Sequence, residues 1–279
     1  MRPRLLPHRR VAARPVPGCA TFVFSGHAPQ STPVLVLLGA QPAAGKSQAM
    51  AALQQRHAGR SLVPLYRGRA ARLPPAVRGA AAGAPAAVPQ RDRPGLRGVR
   101  MSVGYAREHG FGLVIEGVFR VPEMTVSTAE KFAAAGYQVK VVGLGVRAER
   151  SRLDSLHRYL VAGRSTPPAA HDGAYQMLPG TIAATEASPA VRRVTLTDRT
   201  GADLYVNERT ATGAWRREPT GADALHSLRA RPLPPDEVAT WLTRHRDIAV
   251  RGELTATTLP VLRQVAADAH AVTAMDPAP

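Results

Sequence analysis

The sequence predicts an α/β fold: a parallel sheet flanked by helices, with a helical extension at its C-terminal end. Three observations predict it. An apolar run, Val34-Leu-Val-Leu-Leu38, feeds a loop of small residues that ends in Gly45-Lys46-Ser47 and opens a helix-like stretch. Short apolar runs then alternate with longer helix-like segments, the order that yields parallel strands. Past the last strand-like run, near residue 207, only helix-like segments remain.

Each element follows from a local signal. Residues 1–32 show no period, carry early prolines and read as irregular. Residues 34–39 read as a strand, 45–57 as a helix and 60–65 as a second short strand. Residues 67–100 are rich in Ala, Arg, Gly and Pro, with Asp92 as their single acid. Regularity returns at Met101, with a helix over 101–109 and an apolar strand, Gly112-Leu-Val-Ile-Glu116, that ends on a carboxylate. Residues 122–135 read as a helix opened by Pro122 and stopped by Gly136. A strand over 138–146, an Arg-rich helix over 147–160 and a helix over 170–185 follow. Residues 191–197 and 202–207, joined through Asp198-Arg-Thr-Gly201, read as a hairpin. Pro234–His245 and Leu259–Ala271 read as C-terminal helices. The expected organisation is therefore an irregular segment 1–32, a catalytic domain 33–215 interrupted at 67–100, and a helical extension 216–279.

The loop after the first strand carries the chemistry. Gly39, Ala40, Gln41, Pro42, Ala43, Ala44, Gly45, Lys46 and Ser47 are mostly small, so backbone N–H groups can wrap a polyphosphate. Gly45 can turn the chain into the helix without a Cβ clash. Lys46 places a cation on the β- and γ-phosphates, Ser47 offers a hydroxyl to Mg²⁺, and the helix adds its positive dipole end. Strand, loop and helix in this order make the fold a P-loop NTPase type and imply ATP with Mg²⁺. In one departure, the leading glycine of G-x-x-x-x-G-K-[ST] is Ala40, with Gly39 just before it.

Composition excludes several classes. The 279 residues suffice for a buried core, and no apolar run approaches the roughly 20 residues of a membrane span. The single cysteine, Cys19, excludes a disulfide framework and a cysteine metal cluster. The N-terminal stretch lacks the apolar core of a secretory signal, so a cytoplasmic location is expected. The net charge of +17 would suit nucleic acid, but its distribution argues against that reading. Residues 1–91 hold thirteen Arg or Lys and no acid, whereas 92–279 hold twenty-four basic and twenty acidic residues, only +4. No aromatic platform accompanies the basic third. Arg outnumbers Lys thirty-four to three, as in a GC-rich gene.

Several separate segments together resemble the zeta toxin family of P-loop kinases. They are Gly-Ala-Gln-Pro-Ala-Ala-Gly-Lys-Ser at 39–47, Leu-Val-Ile-Glu-Gly-Val-Phe-Arg at 113–120, Ala-Ala-Ala-Gly-Tyr-Gln-Val at 133–139, His157-Arg-Tyr159, Gly163-Arg-Ser-Thr-Pro167 and Ala170-His-Asp172. The resemblance covers about 33–66 and 101–210. It implies ATP-dependent phosphorylation of a sugar hydroxyl of UDP-N-acetylglucosamine and, in many members, restraint by a small helical antitoxin. By the same resemblance, Lys46 and Ser47 match the phosphate and magnesium positions. Glu116, Arg120 and Thr128 match positions beside the sugar nucleotide, and Arg158 and Arg164 match arginines that reach the ATP phosphates. From the residues alone, Glu116 could also cap a helix or a loop, Thr128 could be an ordinary helix residue, and Arg158 and Arg164 could belong to a solvated basic helix face. His171 and Asp172 are expected to order the helix they begin rather than to perform chemistry.

The family carries a G-D-x-x-R-x-x-H-P segment after its second strand, whose Asp is the general base. Here that place is Leu65-Tyr-Arg-Gly-Arg-Ala-Ala-Arg-Leu-Pro-Pro75, with no carboxylate. Loss of a general base costs about 10²–10⁴ in rate. Two accounts fit. Permissible codons for Arg67 to Gly79, read one base on, spell Gly-Asp-Glu-Leu-Arg-Ala-Phe-His-Pro, which makes residues 67–98 a frame-shifted stretch. The other account is a diverged insert. The rival functions are a kinase of another small-molecule hydroxyl, such as an antibiotic or a sugar, and an ATP-binding pseudokinase that engages an antitoxin.

Overall fold

Alternation in the first strand sets the architecture. Val34, Val36 and Leu38 point to one face and Leu35 and Leu37 to the other, and all are buried, as in a sheet covered on both sides. A computed structural model describes residues 23–65, 94–251 and 259–273. The strands are β1 (Val34–Gly39), β2 (Val63–Leu65), β3 (Leu113–Gly117), β4 (Gln138–Leu144), β5 (Val191–Thr197) and β6 (Asp203–Glu208). They form one six-stranded sheet in the order β2-β3-β1-β4-β5-β6. The first five strands in that order run parallel, and β6 turns back antiparallel on β5.

The helices are α1 (Lys46–Arg56), α2 (Pro94–His109), α3 (Pro122–Ala133), α4 (Ala148–Ala162), α5 (Pro168–Ala187), α6 (Gly221–Ala230), α7 (Pro235–Arg251) and α8 (Leu259–Thr273). On one face of the sheet, Ala49, Met50 and Leu53 of α1 pack against Val36, Val114 and Val142. On the other, Phe132 of α3, Leu178 and Ile182 of α5, and Leu225 of α6 pack against Leu35, Val141 and Leu196. Each of these side chains larger than alanine contributes about 1.5–3 kcal/mol by leaving water. A third cluster joins Leu153 and Leu156 of α4 to Trp241 of α7 and Val265 of α8. Among the described residues no helix is long and apolar enough to cross a membrane.

The expected α/β class and parallel sheet are present. Several boundaries differ from the sequence reading: β2 starts at Val63 rather than 60, β4 ends at Leu144 rather than 146, and α7 runs past His245 to Arg251. Helix α2 begins at Pro94, ahead of Met101; Gly95 and Gly98 mask its helical signal, because glycine is a poor helix former. Helix α6 was not delimited from sequence, since it is short and opens on Gly221. Glu186 explains that glycine: its carboxylate accepts the Gly221 N–H at 2.9 Å, and a Cβ there would meet the carboxylate oxygens at the same distance. Of the segment expected to be irregular, Phe24 is buried against Tyr105 and Phe111; residues 1–22 lie outside the described residues. So do 66–93, which contain most of the proposed frame-shifted stretch and the place of the general base.

Candidate phosphate-binding site

The sheet register brings the site together. Gly39 lies beside Gly117 of β3 and Gly143 of β4, and Leu38 beside Glu116. The small-residue loop and the Glu116 carboxylate thus share the carboxyl edge of the sheet, where open parallel sheets bind ligands. Gly45 caps α1 with φ 94°, a left-handed conformation that favours glycine. The need for Gly39 is steric: a Cβ there would run into the Phe119 ring. Phe119 itself has φ 48°, and its carbonyl accepts a hydrogen bond from Thr181 at 2.8 Å.

Side chains hold the loop from behind. Gln41 is fully buried and donates to the Val146 carbonyl at 2.8 Å and to Ser151 Oγ at 3.2 Å. Ser151 Oγ lies 2.8 Å from His171 Nε2, and His171 Nδ1 lies 2.9 Å from Asp172 Oδ1. Asp172 pairs with Arg152, which also pairs with Asp268 of α8. Ser151 is fully buried and His171 nearly so, so this Ser-His-Asp order is not a nucleophilic triad. It is a polar brace between α4, α5 and the loop, in keeping with the ordering role expected of His171 and Asp172. Burial pushes the His171 pKa below its ordinary value, against the opposing pull of Asp172.

Lys46 is 7% exposed, and its Nζ donates to the Ala40 and Gln41 carbonyls at 2.8 and 2.9 Å. Burial lowers its pKa to about 8, with Glu116 raising it and Arg158 lowering it further. Ser47, next to it, is exposed. Lys46, Ser47, Glu116 and Arg158 line one cleft of about 360 Å³. A second cleft of about 460 Å³ is lined by Glu116, Arg120 and Thr128, with Phe119, Val121 and Met124. Glu116 borders both. Thr128 Oγ1 donates to the Met124 carbonyl at 2.7 Å, one helical turn back.

The structure therefore brings Lys46, Ser47, Glu116 and Arg158 together and groups Arg120 and Thr128 with Glu116. It does not bring in Arg164, which is exposed between α4 and α5 and lines neither cleft. Sequence reasoning missed Asp154, Arg199 and Arg244, which line the first cleft. They come from α4, the β5–β6 turn and α7. No local motif marks them; Asp154, one of two acids in an Arg-rich helix, was the available hint.

Comparison with known proteins bears on the family and the fold. The Zeta toxin family profile matches residues 23–210. Toxin zeta of Enterococcus hirae is 30% identical over 105 residues, which cover 35% of this chain and 37% of that protein. Toxin zeta of Streptococcus pyogenes gives the same identity and coverage. The matched stretch thus spans little more than a third of the curated relatives' length. A solved structure from the PezAT chromosomal toxin–antitoxin system of Streptococcus pneumoniae superposes with a TM-score of 0.62 at 17% identity, covering 82% of this chain and 92% of that one. At that identity the likeness is one of fold. The family profile covers most of the chain and takes in the phosphate loop, Glu116 and Arg158, so the chain belongs to the Zeta toxin family.

Proposed function

We propose that this protein is an ATP-dependent phosphotransferase that phosphorylates a sugar hydroxyl of UDP-N-acetylglucosamine. The observation that carries the reading is the pair of clefts meeting at Glu116. The loop cleft suits a nucleoside triphosphate. The second cleft, with the Arg120 guanidinium and the Thr128 helix, suits an anionic sugar nucleotide. In the transfer, the sugar oxygen bonds to the γ-phosphorus as the bond to the β–γ bridging oxygen breaks. ADP leaves, and with no carboxylate at the family's base position the hydroxyl proton passes to solvent, which slows the transfer. Lys46 and Arg158 neutralise charge on the transferring group. Among the described residues no cluster of three or more His, Cys, Asp or Glu could hold a metal alone. That donor set fits Mg²⁺ carried by the nucleotide phosphates, with the Ser47 hydroxyl as its protein ligand; Mg²⁺ would neutralise phosphate charge. Membership of the family and the toxin–antitoxin origin of the pneumococcal neighbour support a protein antitoxin as partner.

A second reading rests on one observation. The place of the family's general base holds no carboxylate, which favours an ATP-binding pseudokinase. Phosphoryl transfer from labelled ATP, measured for the chain and for Lys46→Ala, separates the readings. A kinase gives labelled UDP-N-acetylglucosamine that Lys46→Ala does not. Equal rates from the two proteins sink the kinase reading, and ATP binding without transfer to any hydroxyl in a panel of sugars and antibiotics favours the pseudokinase.

A further inference from the structure

Three side chains in the loop cleft have no part in the function proposed above. Asp154 is 10% exposed and lies on the cleft wall formed by α4. Its Oδ2 is 2.8 Å from Arg199 Nη2 and 3.5 Å from Arg150, and its Oδ1 accepts from Arg244 Nη1. Arg199 stands at the tip of the β5–β6 turn, and Arg244 on α7, beyond the region that the family profile matches. A single carboxylate thus gathers three guanidinium groups, two of them in the cleft.

We propose that Arg199 and Arg244 are phosphate ligands of this cleft, and that Asp154 holds them there as an internal stand-in for the anion. The inference rests on the nucleotide reading of the loop and adds two ligands to it, one from the C-terminal segment.

Position and charge balance both favour this over a simple tie between α4 and α7. The Arg199 Cβ lies 2.9 Å from where a Cβ on Gly45 would stand, so its side chain passes directly over the turn into α1. That is where backbone N–H groups and the helix dipole favour an anion. Nη1 of Arg199 is buried with no hydrogen-bond partner among the described residues. Among the described residues, Arg199 and Arg244 of this cleft share the one Asp154 carboxylate with Arg150. Three arginines around one carboxylate repel one another, and a polyphosphate would relieve that repulsion with several acceptor oxygens in fork geometry. Desolvation offsets much of the attraction in a largely buried ion pair such as those of Asp154, so a purely structural role would leave this clustering unexplained.

The test is equilibrium binding of ATP, inorganic tripolyphosphate and adenosine to the full chain, with thermal melting as a folding control. Arg199→Gln and Arg244→Gln should each weaken ATP and tripolyphosphate by about tenfold and leave adenosine unchanged. Arg244→Lys should fall between Arg244→Gln and the parent, because it keeps the charge without the fork. Asp154→Asn should bind ATP as well as the parent or better. Should Arg199→Gln fail to fold, Arg244, which is one-third exposed, carries the test. Parent-like ATP affinity in Arg244→Gln, with or without a lower melting temperature, overturns the proposal. So does a loss in Asp154→Asn equal to that in Arg244→Gln. Failure of the parent chain itself to bind ATP or tripolyphosphate would instead overturn the nucleotide reading of the loop, and is distinguishable from both.

Discussion

At the scale of the residue, Lys46 couples the cleft to pH. Burial lowers its pKa to about 8 from an ordinary 10.5, because an ammonium in a poorly solvated site loses hydration. An incoming polyphosphate favours the charged form. The Lys46 contribution to ATP binding should therefore be uptake of a fraction of a proton near pH 8 and almost none at pH 6.5. Calorimetry in buffers of different ionisation enthalpy reads this uptake, and Lys46→Met should abolish it. The sign for the protein without nucleotide is set by the same shift. Between pH 8 and 10.5 the unfolded chain holds more protons on this group than the folded one, so this contribution to stability rises with pH across that window. At this scale the sequence was already informative. Small residues before Gly-Lys-Ser announce a phosphate loop. That Gly39 is required by the Phe119 ring, eighty residues on, could not be read locally.

At the scale of the element, α5 shows how a local fault is repaired from a distance. Pro179 lies inside the helix and lacks the N–H that the Tyr175 carbonyl would normally accept. Arg229 of α6 supplies the missing donor at 2.8 Å and lays its guanidinium over the Tyr175 ring at 3.7 Å. Arg229→Ala should destabilise the protein by about 1–3 kcal/mol, since it leaves that part-buried carbonyl unpaired. Pro179→Ala restores the helical N–H, so in that background Arg229→Ala should cost less. A double-mutant cycle by urea denaturation measures the coupling, expected near 1 kcal/mol; strict additivity would count against the repair. Most helices and strands were legible as elements, because hydrophobic period and glycine or proline stops are local. Gly136 stops its helix with φ 85°, as its sequence position suggests. Helix α6 escaped because its value lies in Leu225, Leu228 and Arg229 meeting partners elsewhere.

Over the whole molecule, the C-terminal segment is not uniform. Helix α6 belongs to the core beneath the sheet, while α7 and α8 close a separate cluster on α4 around Trp241. Trp241 is fully buried, and its Nε1 donates to the Glu149 carbonyl at 3.0 Å. Trp241→Ala should cost about 3–5 kcal/mol and, by loosening α7 from α4, also weaken ATP binding if Arg244 serves the cleft. Denaturation and ATP titration on the same protein check both. The expected clamp at Arg158 has a place in the cleft, whereas Arg164 stands outside it, a distinction that two neighbouring basic segments could not make.

The sequence by itself determined the α/β class, the phosphate loop, the carboxylate at the end of β3 and the want of a carboxylate where the family places its base. These are matters of residue type and short-range spacing, and short-range sterics and burial patterns suffice for them. Only the tertiary structure decided that Glu116 borders two clefts, that a histidine brace stands behind Gln41, and that Asp154 gathers arginines from a hairpin turn and from the C-terminal helices. Those placements depend on strand order and helix packing, which set neighbours between segments far apart in the chain and leave no mark on any one of them.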